Sequence, residues 1–231
     1  HRLPLALAAQ AAGYEVHVAT AASKGASEIG ALGLTHHELP LQRNGLNPWS
    51  DLRLLWSLFR LFLRLHPEVL HLVTIKPVIY GGLVARCLRV PGVIMAISGF
   101  GFVFTQSGAL ARILRGLVMI LYRLAVGGGR VRVIFQNPDD RDAFAKFTGL
   151  GAAQTTLISG SGVSLSDYQW TPEPVGGIVV VMAARLLIDK GVLEFVAAAE
   201  QLRSAGISAR FWLAGDLDPD NPSTCTSDDL Q

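Results

Sequence analysis

The stretch Ile178–Glu194, IVVVMAARLLIDKGVLE, decides the fold. It opens as a continuous apolar and β-branched run, the pattern of a strand covered by helices on both faces. The run gives way to a turn carrying Arg185, Asp189 and Lys190, and Gly191 then leads into an apolar pattern at helical spacing over residues 191–204. Gly206 punctuates that helix, and residues 209–214 (ARFWLA) supply a second strand. Strand, cationic turn, helix and strand make up the unit of a parallel α/β sheet.

The same helix, glycine and strand order occurs at the start of the chain, where residues 2–12 read as a helix, Gly13 ends it and residues 15–20 (EVHVAT) form a strand. Further strands are expected at 69–73, 92–96, 131–136, 155–158 and 177–182. Helices are expected at 50–65, 78–89, 108–126 and 139–147. This alternation predicts α/β architecture, with a Rossmann-like parallel-sheet domain over residues 1–160 that is incomplete at its N-terminus. Residues 161–176, rich in Gly, Ser and Pro, read as an interdomain linker. Residues 177–231 then form a partial second Rossmann-like domain, with the tail DLDPDNPSTCTSDDLQ read as loop. So short a second unit does not close a doubly wound sheet, and the chain does not open with methionine, so more polypeptide is expected at both ends.

Composition narrows the possibilities. Half of the 231 residues are apolar and 16% are charged, against a usual charged share of about 25%; the chain is too apolar for disorder. A net charge of +2 gives no clustered basic footprint for nucleic acid, and none is expected as a partner. Cys87 and Cys225 make neither a disulfide framework nor a metal-ligand spacing, in keeping with a reduced compartment. No leader-like start is visible. The longest near-apolar stretches, around 54–63 and 116–126, contain arginines and fall short of the roughly 20 residues that cross a bilayer.

Several strand ends carry residues suited to chemistry. His71–Pro77 (HLVTIKP) lies at the end of the apolar strand 69–73, and open α/β sheets bind ligands at such carboxyl ends. The helix expected after Pro77 offers an N-terminus to an anion. Lys76 can bring a mobile charge to a phosphate, and His71 can hydrogen-bond a sugar or phosphate oxygen; a purely structural histidine is the alternative. Gly99 and Gly101, in the turn SGFGF, allow close backbone approach to a substrate or simply turn the chain. Asn137 follows another strand in QNPDD, where Asp139 and Asp140 are best explained as helix-capping acids. In the second unit, Arg185 offers a planar fork, Lys190 a point charge and Gly191 room for close approach, a combination suited to a nucleotide diphosphate. A loop in which these cations pair with Asp189 or Glu194 is the alternative.

Two helices carry another signal. Arg53, Arg60 and Arg64 share a narrow sector of the helix at 50–65, and Arg112, Arg115 and Arg123 share one side of the helix at 108–126; both helices are otherwise strongly apolar. Such faces suit either rim arginines around a deep core or attachment to an anionic membrane surface.

At HLVTIKP, SGFGFVF, VIFQNPDDRDAF, ISGSGVSLSDY and VVVMAARLLIDKGVLEFVAAAEQL, the chain resembles the retaining glycosyltransferases with two Rossmann-like domains, the GT-B, family 4-like type. The likeness is to the bacterial branch that acts on polyprenyl-diphosphate-linked sugars in glycan and polysaccharide assembly. The resemblance implies an N-terminal acceptor-binding domain and a C-terminal domain that binds a nucleotide-sugar donor, UDP-linked, as substrate. It implies His71 as a cleft residue and Arg185 with Lys190 as the pair that holds the donor diphosphate and stabilises leaving-group charge. Gly160 and Gly162 would begin the interdomain crossover. No cofactor, catalytic metal or protein nucleophile is implied, and the place of action is the cytoplasmic face of the membrane as a peripheral protein. The family's opening strand with its glycine loop, and a late pair of glutamates for the donor, have no counterpart here, so the chain alone is expected to be inactive or barely active. A nucleotide-sugar epimerase of the same architecture and a non-catalytic binding fragment are the alternatives.

Overall fold

A computed structural model describes residues 2–22, 25–41, 47–97, 109–160, 162–173, 175–219, 221 and 223–226. The chain divides into two compact units, His1–Val163 and Ser164–Gln231.

In the first unit, α1 (Leu3–Ala11) precedes β1 (His17–Thr20), α2 (Ala26–Ala31) and β2 (Thr35–Glu38). β1 and β2 pair in parallel, His17 opposite Thr35 and Ala19 opposite His37. The long helix α3 (Pro48–Leu65) leads to β3 (Val69–Val73), a π turn (Pro77–Gly81), α4 (Gly82–Cys87), β4 (Gly92–Ile97), α5 (Ala109–Val126), β5 (Val131–Phe135), α6 (Pro138–Thr148) and β6 (Thr155–Leu157). β3 to β6 form a parallel sheet in chain order. Each step moves one strand in the same direction, so right-handed crossovers put α4, α5 and α6 on one face of the sheet. α3 packs against α4 and extends that layer.

Local chemistry sets the helix ends. Asn47 caps α3 by accepting from Trp49 N at 3.1 Å, Pro48 occupies the first turn, and His66 ends the helix in a left-handed conformation (φ 48°). The core lies between sheet and helices: Leu54, Leu58 and Phe62 of α3 belong to one buried cluster with Leu72, Val78, Met95, Val133 and Phe135. Tyr122 and Phe135 both pack on Phe144, at ring centroid distances of 5.2 and 5.5 Å. Gly82 is required beneath them, because a Cβ there would lie 2.5 Å from Met95 Cε and 2.9 Å from Ala125 Cβ.

In the second unit, β7 (Ile178–Ala183) and β8 (Ala209–Ala214) pair in parallel, joined by a 3-10 turn (Ile188–Lys190) and α7 (Val192–Ser204). Two Rossmann-like units, the first carrying the β1–β2 and β3–β6 parallel sheets and the second the β7–β8 pair, match the expected architecture. Four local expectations need correction. α2 and β2 were not foreseen. The expected helix 78–89 begins as a π turn. β7 leaves Ile178 and Val181 more than half exposed; the described element packed along it is β8. Part of the tail expected to be loop is tied down: Cys225 is buried with Leu186 and Val192, and Thr224 bridges Leu187 in antiparallel fashion.

Candidate functional site

The first station is built at the carboxyl end of β3. His71 sits in mid-strand, partly buried, and burial followed by the nearby Arg2 charge lowers its pKa. It is therefore neutral at neutral pH and available as a hydrogen-bonding group rather than a cation. Thr74 turns the chain with a left-handed backbone (φ 71°) and accepts from Val78 N at 3.0 Å. A π turn in this place is a local departure of the kind that gathers at functional sites. Lys76 does not stand by itself: its Nζ lies 2.8 Å from Asp51 Oδ1, with both side chains largely buried. Tyr80 also hydrogen-bonds Asp51. A phosphate reaching Lys76 would meet a cation already paired.

Asn137 is likewise occupied. It caps α6, its Oδ1 accepting from Asp140 N at 2.7 Å while its Nδ2 donates to Asp140 Oδ2 at 2.8 Å. Gly99 and Gly101 lie outside the described residues. Gly160 and Gly162, at φ 89° and 69°, turn the chain out of β6.

The second station follows β7. The chain beyond β8 folds back over it: Leu186 N donates to Asp216 O, Ile188 N to Ser223 O and Cys225 N to Leu186 O. Gly215 makes this possible, since a Cβ there would lie 1.8 Å from Ala184 O. Arg185 is more than half exposed and pairs with Asp218 through its Nη1, not with Asp189 or Glu194. Lys190 is exposed at the end of the 3-10 turn and has no ion pair among the described residues. Gly191 adopts φ 82° between that turn and α7. Arg185, Lys190 and Gly191 thus belong to one turn of the second unit, whereas His71 and Lys76 belong to the first.

A family model described as "Glycosyl transferase 4-like" matches residues 1–137, which is more than half of the chain. The chain belongs to the glycosyl transferase 4-like family. It is 26% identical over 239 aligned residues to an N,N'-diacetylbacillosaminyl-diphospho-undecaprenol alpha-1,3-N-acetylgalactosaminyltransferase of Campylobacter jejuni, covering 98% of this chain and 62% of that protein. The chain therefore spans less than two thirds of this curated relative. Among solved structures, it is similar to a glycosyltransferase from Rickettsia africae (TM-score 0.65, 14% identity, 93% of this chain and 55% of that one). It is also similar to a sucrose-phosphate synthase from Thermosynechococcus elongatus (TM-score 0.64, 17% identity, 96% and 57%). A putative UDP-N-acetylglucosamine 2-epimerase from Listeria monocytogenes shares the fold too (TM-score 0.56, 10% identity, 94% and 60%). These likenesses establish the GT-B fold.

Three residues of this family member escaped the sequence reading: Asp51, Tyr80 and Asp218. Asp51 had a signal in the helix start Asn47-Pro48, which places an acid in the first turn where the helix dipole favours it. Asp218 had none, because its pairing with Arg185 depends on a long-range fold-back.

The helix layer of the first unit also exposes two unusual faces. At about 100° per residue, Trp49, Leu52, Trp56 and Leu63 of α3 fall in a sector of about 60°, with Arg53, Arg60 and Arg64 in the next. All four apolar side chains are at least half exposed. Ile113, Leu117, Ile120 and Leu124 of α5 form a similar exposed stripe, bordered by Arg112 and Arg123. Asp51, held by Lys76, is the one acid in the two helices. Among the described residues no helix is long and apolar enough to cross a membrane.

Proposed function

We propose that this protein takes part in sugar transfer, with retention, from a nucleotide-sugar donor, probed first as UDP-linked, to a polyprenyl-diphosphate-linked saccharide in bacterial glycan or polysaccharide synthesis. One observation carries the reading: the alignment to the Campylobacter jejuni transferase runs through 98% of the chain, across both units and both stations. In the transfer, the bond from the sugar C1 to the donor diphosphate breaks. A bond from C1 to an acceptor hydroxyl forms on the same face, and the proton of that hydroxyl passes to the departing diphosphate. Negative charge grows on the leaving diphosphate, and fixed cations beside it lower the barrier. Arg185 and Lys190 supply that charge, with Gly191 admitting the diphosphate to the turn; Arg185 exchanges the Asp218 carboxylate for phosphate oxygens. His71, neutral and in the strand that leads to the first station, serves as a hydrogen-bonding cleft residue for the transferred sugar. The first unit takes the acceptor, and no cofactor enters the reaction.

The exposed apolar stripes and bordering arginines of α3 and α5 support peripheral attachment to the anionic cytoplasmic face of the membrane, where a lipid-linked acceptor resides.

The test is sugar transfer from a panel of UDP-sugars to polyprenyl-diphosphate saccharides, using the 231-residue chain and any longer polypeptide that carries it. Transfer with the anomeric configuration kept supports the proposal. Release of an altered free nucleotide sugar without acceptor would instead establish an epimerase, whose fold is equally compatible.

A further inference from the structure

A groove of about 690 Å³ runs between β2 and α3, and its polar lining is His36, His37, Glu38, Ser57, Arg60 and Arg64. Arg60 and Arg64 stand one turn apart on α3 and so face the same way. His37 is held from behind: its Nε2 lies 2.9 Å from His17 Nδ1, the two rings stack with centroids 5.1 Å apart, and His17 Nε2 lies 3.1 Å from Glu15 Oε1. The Glu15 carboxylate can only accept, so His17 carries its proton on Nε2 and its Nδ1 accepts from His37 Nε2–H. His36 is fixed in the same sense. The Thr20 hydroxyl donates to Ala21 O at 3.0 Å, so its oxygen accepts from His36 Nε2–H at 2.9 Å. In both imidazoles the Nδ1 atom is left to take up a further proton.

The groove is electropositive. Two guanidinium groups face one carboxylate, Glu38, and the proton affinity of His37 is reduced by burial, then by repulsion from His17 when that ring is protonated, from Arg64, and from His36 when it too is protonated. An anion placed here relieves that repulsion. The groove also has an apolar border: Leu63 lines it and is half exposed, and Trp56 is exposed one turn before Arg60 on the same helix. A free anion would need the charges but not this border. A phosphate esterified to acyl chains uses both.

We propose that the groove between β2 and α3 is a headgroup site for an anionic phospholipid, with Arg60, Arg64 and His37 on the phosphate and Trp56 and Leu63 at the acyl boundary. This rests on the membrane-attachment part of the proposed function and is independent of the transfer chemistry. It makes attachment sensitive to pH: among the described residues His17 and Arg64 lie against His37, Arg60 lines the groove with it, His36 and Glu38 flank it in β2, Glu15 reaches it through His17, and a bound phosphate favours its protonated form.

The experiment is co-sedimentation with vesicles of phosphatidylglycerol and phosphatidylcholine, against phosphatidylcholine alone, at about pH 5.5 and about pH 8, on either side of the ordinary histidine pKa, with inorganic phosphate as competitor. The expected result is binding to the anionic vesicles only, weakened on the order of tenfold or more in R60Q/R64Q. Binding is stronger at the lower pH, and the difference between the two pH values shrinks in H37Q. W56S weakens binding at both. Anionic-vesicle binding that survives R60Q/R64Q but is lost in I113S/L117S would place attachment on α5 and overturn the groove. Displacement from vesicles by millimolar inorganic phosphate, with W56S indifferent, would make it a free-anion site and overturn the lipid assignment. No binding to any vesicle would overturn both this site and membrane attachment. Sugar transfer to a short-chain acceptor in detergent, measured in parallel, tests the transferase reading without any membrane.

Discussion

Lys76 Nζ lies 2.8 Å from Asp51 Oδ1, tying the π turn after β3 to the first turn of α3. Tyr80, one turn further on, shares that carboxylate. Its pKa is pushed up to about 12, first by burial, then by the hydrogen bond to Asp51 and the charge of that group. Asp51 is therefore the anchor of the first station, and Asp51→Asn removes the carboxylate that lies against a largely buried ammonium. We expect a loss of about 1–3 kcal/mol in unfolding free energy, the range for charged hydrogen bonds short of full burial. In urea unfolding, Lys76→Met combined with Asp51→Asn should recover part of the loss. Additive effects would show that the two groups do not interact.

Arg185 and Lys190 are exposed, so Arg185→Gln and Lys190→Gln should leave the fold intact. If they hold the donor diphosphate, each weakens UDP binding by about 10- to 100-fold, the size of a lost charge-assisted hydrogen bond. Asp218→Asn should act the other way. The exposed Arg185–Asp218 pair is worth about 0.2–1 kcal/mol, so releasing Arg185 tightens UDP binding by up to about fivefold. Titration calorimetry with UDP reads all three. Unchanged affinity in both cation variants would remove the second station from the donor site.

His71 and His37 both hold a proton less readily than a free imidazole of ordinary pKa 6.5. Between the lowered folded value and 6.5 the unfolded chain binds more protons, so stability rises with pH across that interval. The contribution is complete above about pH 7 and is lost as the pH falls through the lowered values. The urea midpoint should therefore be level from about pH 7 to 8 and decline below about 6.5. His71→Gln with His37→Gln should flatten the decline, and an equally steep decline in that variant would assign it to other groups.

The strands β3, β4, β5, β7 and β8 were legible because each is a short apolar run, and in β4 and β5 that pattern agrees with the burial found. β2 was not, since THHE has neither alternation nor β-branched density; it is held by register with β1 and by the contacts His17–His37 and Thr20–His36. The site divides in the same way. Arg185, Lys190 and Gly191 are close in sequence and read as one cationic turn. The partner of Arg185, Asp218, arrives through backbone bonds from Asp216, Ser223 and Cys225 that no periodicity announces. Lys76 reads as a free cation in the sequence because Asp51 lies in another element, and sequence spacing carries no information on such a contact.

Two glycines test how far local packing governs these units. At Gly215 the segments after β7 and β8 run so close that a Cβ would meet backbone, 1.8 Å from Ala184 O and 2.8 Å from Ala184 C. Backbone cannot rotate away as a side chain can, so Gly215→Ala must separate the two segments. That separation breaks the bonds from Ala184 N to Ala214 O and from Leu186 N to Asp216 O. The expected loss is at least the roughly 1–3 kcal/mol of an overpacked site, with lower UDP affinity because Arg185 and Asp218 lie on the separated segments. Gly116 is the opposite case: it lies within α5, exposed, and a Cβ added there would meet nothing within 4 Å. Gly116→Ala should stabilise the first unit by about 0.5–1 kcal/mol through helix propensity and a less flexible unfolded chain. Differential scanning calorimetry distinguishes the outcomes, and equal shifts for the two variants would contradict the close backbone approach at Gly215.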